Sequence, residues 1–190
     1  MTEHASDLPP AAAEPSAPTR ARVSTPLGAF VVELDRRRAP ISAANFIDYV
    51  TAGLLDRQSV YRIVTMANQP DTVKCRIEVI QFGWRGATPE VPAPRPPIAH
   101  EPTSVTGLRH VDGTLSMARQ APGTAGPGFF ICIGAQPELD FGGGRNPDGQ
   151  GFAAFGRVVE GMDVVHAIFA KGEANDRMLH PVEIISAAMI

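Results

Sequence analysis

Cys75 and Cys132 are the only cysteines of this 190-residue chain, and they open the two chemistries that thiols most often carry. Cys132 sits inside the apolar run Phe129-Phe130-Ile131-Cys132-Ile133 and reads as a small buried hydrophobe. Cys75 stands among charges in an expected loop, so a disulfide between the two is the minority reading. A zinc site would need histidines at ligand spacing, and His100, His110, His166 and His180 do not cluster, so no metal is expected. The stretch Phe141–Gly151 (FGGGRNPDGQG) is glycine-rich enough to suggest a phosphate cradle. It lacks Gly-Lys-Ser/Thr and does not lead from strand to helix, so it reads as a flexible hairpin loop. A lone cation such as Arg62, in the strand-like run Ser59–Val64, is by itself a solvated surface residue. Nucleophilic, metal and phosphate chemistry are therefore all poorly supported.

Any site must be built on elements that the pattern can place. Hydrophobic residues make up 44% and charged ones 19%, which suits a soluble globular domain. The net charge of -3 creates no basic field for nucleic acid or anionic membrane. No window approaches 18 consecutive apolar residues, which predicts no membrane-spanning helix. Residues 1–20 hold five Ala, four Pro and two Ser without an aromatic, and such a stretch predicts a disordered Ala/Pro-rich tail before a domain at 21–190. Phe30, Val32 and Leu34 alternate as in a half-buried strand, after a turn at Thr25-Pro26-Leu27-Gly28. Ala43, Phe46, Ile47 and Val50 make a helical stripe, predicting a helix near 42–52, with a second from Met162 to Lys171. Further strand-like runs fall at 59–64, 77–83, 113–118, 128–133, 152–159 and 182–187. Pattern alone yields a mostly-β barrel or sandwich with two helices.

Four segments go further. They are Ser59-Val60-Tyr61-Arg62-Ile63-Val64, then Val79-Ile80-Gln81 with Gly83, then Leu115-Ser116-Met117-Ala118-Arg119 running on to Phe129-Phe130-Ile131-Cys132, and lastly Phe155-Gly156-Arg157-Val158-Val159-Glu160-Gly161-Met162. In this order they resemble the signature blocks of the cyclophilin-type peptidyl-prolyl cis-trans isomerases, over about 22–188. The third block matches without a gap. The resemblance implies a closed eight-stranded antiparallel β-barrel capped by two α-helices, with the active site in a groove on its outer wall. It implies Arg62, Gln81 and Phe130 as the catalytic residues, and Val79, Ala118, Arg119, Leu139 and Phe152 as substrate-binding ones. In that scheme Arg62 stabilises the twisted amide and Gln81 orients Arg62 or the substrate. Phe130, Val79, Leu139 and Phe152 wall a proline pocket, and the backbone at Ala118–Arg119 pairs with the peptide.

The function so implied is rotation of X-Pro bonds in protein substrates, assisting folding. No cofactor or metal is needed, because no covalent bond breaks. The expected partners are proline-containing peptides and unfolded proteins, with no nucleic acid or membrane, and a monomeric enzyme. Several residues depart from the family pattern. Glu78 replaces a groove phenylalanine, Val79 a methionine, Arg119 an asparagine, Gly128 a glutamine and Phe152 a histidine. Glu138 stands where some members carry the tryptophan that helps bind cyclosporin, which predicts weak cyclosporin binding. Glu78, Gly128 and Glu138 motivate a second reading, a peptide-binding or chaperone module with little turnover. An unrelated barrel with a hollow, ligand-binding interior is a third, opposed by the Phe, Ile, Leu and Met that fill the expected core. Two long loops, Met66–Arg76 and Phe141–Gly151, are expected beside the groove. The absence of a visible signal segment makes cytoplasm the default compartment, with periplasm the alternative if a signal precedes this numbering.

Overall fold

The structure is a computed structural model that describes residues 17–84 and 92–190. The tail expected at 1–20 lies outside the described residues up to 16, and the first strand begins at Thr19. Nine strands form one antiparallel sheet: β1 Thr19–Thr25, β2 Gly28–Leu34, β3 Ser59–Val64, β4 Val79–Gly83, β5 Thr114–Met117, β6 Gly128–Cys132, β7 Ala153–Glu160, β8 Arg177–Glu183 and β9 Ser186–Met189. Their order is β8-β3-β4-β6-β5-β7-β2-β1-β9.

This corrects the expected closed eight-stranded barrel with two helices. Among the described residues the sheet has nine strands, and its hydrogen-bonded order is open, with β8 and β9 as the two edges. The single run expected at 182–187 is in fact the junction of these two strands. On one side of the break Ile184 donates its N–H to Gln58, and on the other Ile185 donates to Ser24, so the chain changes partner between adjacent residues. The alternation rule missed β8 because little of it is buried: only Met178 of Arg177–Glu183 is inside. Among the described residues three helices are present instead of two: α1 Pro40–Thr51, the single turn α2 Thr103–Thr106 and α3 Met162–Phe169.

Alternation along the central strands divides their side chains between two faces. Ile63, Ile80, Ile131 and Leu115 form one rung across β3, β4, β6 and β5, and all four are fully buried in the main core. Phe46 and Tyr49 of α1 pack edge-on against Phe129 in the same core, with ring centroids 4.9 and 5.8 Å away. Val165 and Ile168 bury the inner stripe of α3. Helix α1 begins at Pro40, where the fixed φ of proline suits the first turn. No side chain of its own caps it. Glu101, remote in sequence, accepts the N–H groups of Ile41 and Ser42 and the Ser42 hydroxyl at 3.0, 2.7 and 2.6 Å.

Candidate functional site

The opposite face of the same strands carries the next rung: Arg62 on β3, Gln81 on β4, Phe130 on β6 and Ser116 on β5 are successive cross-strand partners. A bulge at Tyr61 sets this register, because Val60 pairs with Phe82 and Arg62 with Gln81, leaving Tyr61 as the extra residue. The offset puts Tyr61 and Arg62 within reach of the same glutamine. Arg62 Nη1 donates to Gln81 Oε1 at 3.1 Å, and Gln81 Nε2 donates to the Tyr61 hydroxyl at 2.9 Å.

Arg62 also binds Asp176, with Nε and Nη2 at 2.8 and 2.6 Å from the same carboxylate oxygen. Sequence reasoning missed Asp176. It lies 114 residues away, just before the irregular edge strand β8, and no local spacing could have paired it with Arg62. Of the five guanidinium N–H groups, three are thus engaged, and the other two have no partner among the described residues.

Beside this cation lies a second, smaller apolar cluster. Phe130, Val79, Leu139, Val64, Ile77 and Cys132 form it, with Ala118 and Phe152 packed against its rim. The structure therefore brings together Val79, Ala118, Phe130, Leu139 and Phe152, five of the residues named from sequence, while Arg62 and Gln81 flank Phe130 on its rung. Phe152 meets Phe130 edge to face at 5.5 Å, a favourable aromatic geometry. Burial pushes the Cys132 thiol well up, so it stays protonated and serves packing alone. Among the described residues no three His, Cys, Asp or Glu side chains gather to hold a metal ion.

A sequence model of the cyclophilin type peptidyl-prolyl cis-trans isomerase family matches residues 20–189. The chain belongs to that family. Among its curated relatives is peptidyl-prolyl cis-trans isomerase B of Escherichia coli, 33% identical over 151 residues, covering 79% of this chain and 82% of that one. Another is the isomerase cyp18 of Streptomyces antibioticus, 34% identical over 149 residues, covering 77% and 80%. Among solved structures, a cyclophilin type isomerase of Cryptosporidium parvum aligns with a TM-score of 0.70 at 17% identity, over 92% of this chain and 98% of that one. The fold is thus cyclophilin-like.

Arg119, where the family pattern has asparagine, commits its side chain to the 141–151 loop and to Phe152 in this cyclophilin. Its guanidinium lies over the Phe152 ring at 5.0 Å, donates to Asp148 at 2.7 and 2.9 Å, and reaches the Gly151 carbonyl. The side chain is 0% exposed although the residue is not, so what Arg119 shows to solvent is its backbone. The Arg119 hydrogen bonds hold the Asp148 carboxyl down at about 2. The loop expected to be flexible is therefore pinned to the pocket wall through Phe152.

The two long loops are joined as well. Arg145 donates to Gln69 Oε1 at 2.9 Å and to the Cys75 carbonyl at 3.0 Å. Burial, aided by the Arg62 charge, pushes the Arg145 pKa down. Glu138 accepts the Gly144 N–H at 2.8 Å and the Cys75 thiol proton. Its charge is spent inside this clasp. Glu78 likewise accepts the Met66 N–H at 3.3 Å, at the start of the first loop.

Proposed function

We propose that this cyclophilin rotates X-Pro bonds in protein substrates at the face formed by Arg62, Gln81 and Phe130, and so assists slow folding steps. The observation that carries this reading is the single cross-strand rung that sets a partly free guanidinium beside an apolar pocket. X-Pro rotation breaks no covalent bond; its barrier of about 18–20 kcal/mol is the loss of amide resonance. Trans is favoured by only about 0.5–1 kcal/mol, so both isomers reach the site. Catalysis then needs a surface that holds the proline ring still and binds the twisted amide better than either planar form. Twisting gives the prolyl nitrogen a usable lone pair. The two uncommitted N–H groups of Arg62 can donate to it or to the preceding carbonyl without reorganising.

Phe130, Val79 and Leu139, with Phe152 at the rim, supply the wall against which the ring is held. The Ala118 N–H is already donated to the Gly128 carbonyl at 2.9 Å. An extended peptide would therefore pair with the Ala118 carbonyl and the Arg119 N–H. A Cryptosporidium parvum neighbour in the fold comparison was crystallised in the presence of the dipeptide Ala-Pro, which accords with proline-containing ligands.

The deciding experiment is a proline-isomerisation assay on a short X-Pro peptide, with wild type beside Arg62→Ala. Loss of Arg62 should reduce kcat/KM by one to a few orders of magnitude, the effect of removing about 2–4 kcal/mol of donor stabilisation. Unchanged turnover in the variant would sink the assignment. The bond from Asp176 to Arg62 favours a second reading, a peptide-binding module, because a neutralised cation is a weaker electrophile. Retained peptide binding with negligible wild-type turnover would select that reading.

A further inference from the structure

Beneath the proline pocket runs a buried polar chain that the mechanism above does not use. His110 Nδ1 lies 2.8 Å from Asp140 Oδ1, and its Nε2 lies 2.9 Å from the Ser116 hydroxyl. The same Asp140 oxygen accepts the His110 backbone N–H at 3.1 Å, and the exposed Arg109 reaches the other oxygen at 3.3 Å. An ionised carboxylate can only accept, so Nδ1 donates to Asp140, and in the neutral imidazole Nε2 then accepts from Ser116. The order Ser-His-Asp matches that of a hydrolase relay. A nucleophile must meet its substrate, however, and Ser116 is 0% exposed and His110 1%. Acyl transfer is therefore not available to this group.

What the chain does touch is Phe130. The His110 ring lies nearly parallel to the Phe130 ring, 15° apart in plane and 6.0 Å between centroids. Ser116 is the cross-strand partner of Phe130. Phe152 meets the Phe130 ring edge-on. An aliphatic side chain in place of His110 could slide or change rotamer. An imidazole tied at both nitrogens cannot, since either motion breaks a buried hydrogen bond.

We propose that His110 is a positioning residue: fixed between Asp140 and Ser116, its ring sets the plane of Phe130 and keeps the proline pocket in its binding-competent shape. The inference rests on the isomerase reading of the pocket. Loosening the ring leaves only a fraction of molecules competent to bind proline, and apparent affinity falls by that fraction while the rate once bound is retained. The effect belongs in KM.

The test compares Asp140→Ala, Asp140→Asn and Ser116→Ala with wild type. It records KM, kcat and proline-peptide affinity together with the NMR signals of the Phe130 ring in selectively labelled protein. Asp140→Ala and Ser116→Ala should each raise KM and weaken peptide affinity about tenfold, the scale of one lost buried hydrogen bond. In both, kcat should stay within about twofold and the Phe130 signals should broaden or split as the ring samples a second position. Asn offers an oxygen to the same N–H groups, so Asp140→Asn should restore KM to within about threefold of wild type. Folded variants that lose thermal stability but keep wild-type KM and Phe130 signals would overturn the proposal. So would a loss confined to kcat. If wild type lacks turnover, the isomerase reading fails, and peptide affinity with the ring signals still judges His110.

Discussion

The Tyr61 hydroxyl occupies space that the missing side chain of Gly128 leaves open. A Cβ built on Gly128 would lie 3.3 Å from that hydroxyl, 3.3 Å from Ala118 Cβ and 3.8 Å from Gln81 Nε2. The hydroxyl in turn accepts from Gln81 at 2.9 Å, and Gln81 accepts from Arg62. The glycine that stands in place of the family's glutamine thus leaves room for a tyrosine whose hydroxyl holds Gln81. Gly128 leaves the chain of hydrogen bonds from Arg62 through Gln81 to Tyr61 intact.

That coupling predicts a non-additive pair. Gly128→Ala places a methyl group tighter against Tyr61 than ordinary contacts allow and should lower kcat/KM several-fold by displacing Tyr61 and Gln81. Tyr61→Phe alone should cost a few-fold through the lost hydrogen bond. In the double variant the hydroxyl is gone and only Ala118 Cβ still crowds the methyl group, so the combined loss should fall short of the product of the two. A double-mutant cycle on kcat/KM measures this, and strict additivity would show that the residues are independent.

Asp176 supplies a second prediction. It fixes Nε and Nη2 of Arg62, so Asp176→Ala should leave the guanidinium held by Gln81 alone. With its orientation loosened, kcat/KM should drop about tenfold. Asp176→Asn keeps an oxygen acceptor and removes the neutralising charge, so its loss should be smaller. Arg62→Lys should not substitute in either background, because an ammonium cannot span Asp176 and Gln81 as the planar fork does. Activity in Asp176→Ala equal to wild type would show that the pair is incidental.

Much of this site was legible because four strand-borne blocks resemble the family's signature, and alternation along those strands agrees with it. Period-two alternation separates Phe130 from Phe129 and sets Val79 and Gln81 on one face, and the observed ladders have that register. The strand through Phe30, Val32 and Leu34 and the helix near 42–52 were visible for the same reason, as periodic stripes, and a second helix was expected from Met162 to Lys171. Contacts that cross the chain without a pattern were not visible. Asp176 reaches Arg62 over 114 residues, and Glu101 caps α1 from 59 residues beyond Ser42. Strand β8 was missed because an exposed edge carries no hydrophobic alternation. The loop at 141–151 looked flexible from its glycines, whereas Arg119 and Arg145 pin it through contacts that composition does not encode.

Acid should loosen this loop first. The Asp148 carboxyl is held at about 2 by its Arg119 hydrogen bonds, below its ordinary value of 3.8. For a depressed pKa, the stabilising contribution is present in full above the ordinary value and disappears as pH falls through the folded one. Amide exchange at Gln150, whose N–H binds Asp148 at 2.9 Å, should therefore be protected at pH 5 and lose protection between about pH 4 and 2. In Asp148→Asn the same amide should show no such transition. A Gln150 profile that is flat in wild type across that range would remove Asp148 from the clasp.

The last prediction concerns stability away from the site. Glu101 is 8% exposed and accepts from two N–H groups at the start of α1 and from the Ser42 hydroxyl. Glu101→Ala strips all three donors of their partner at once. The expected loss is about 2–3 kcal/mol, the sum of a missing helix cap and a buried unsatisfied donor. Glu101→Gln keeps one oxygen acceptor but brings an amide N–H₂ towards donors, so it should recover only part of this. Urea melts should show a lower midpoint with an unchanged slope in both variants. Because α1 packs on β7, β9 and Phe129 from the core face, opposite the rung of Arg62, kcat/KM well below the melting temperature should match wild type. A variant that melts as wild type does would mean that water satisfies the α1 terminus as well as the carboxylate does.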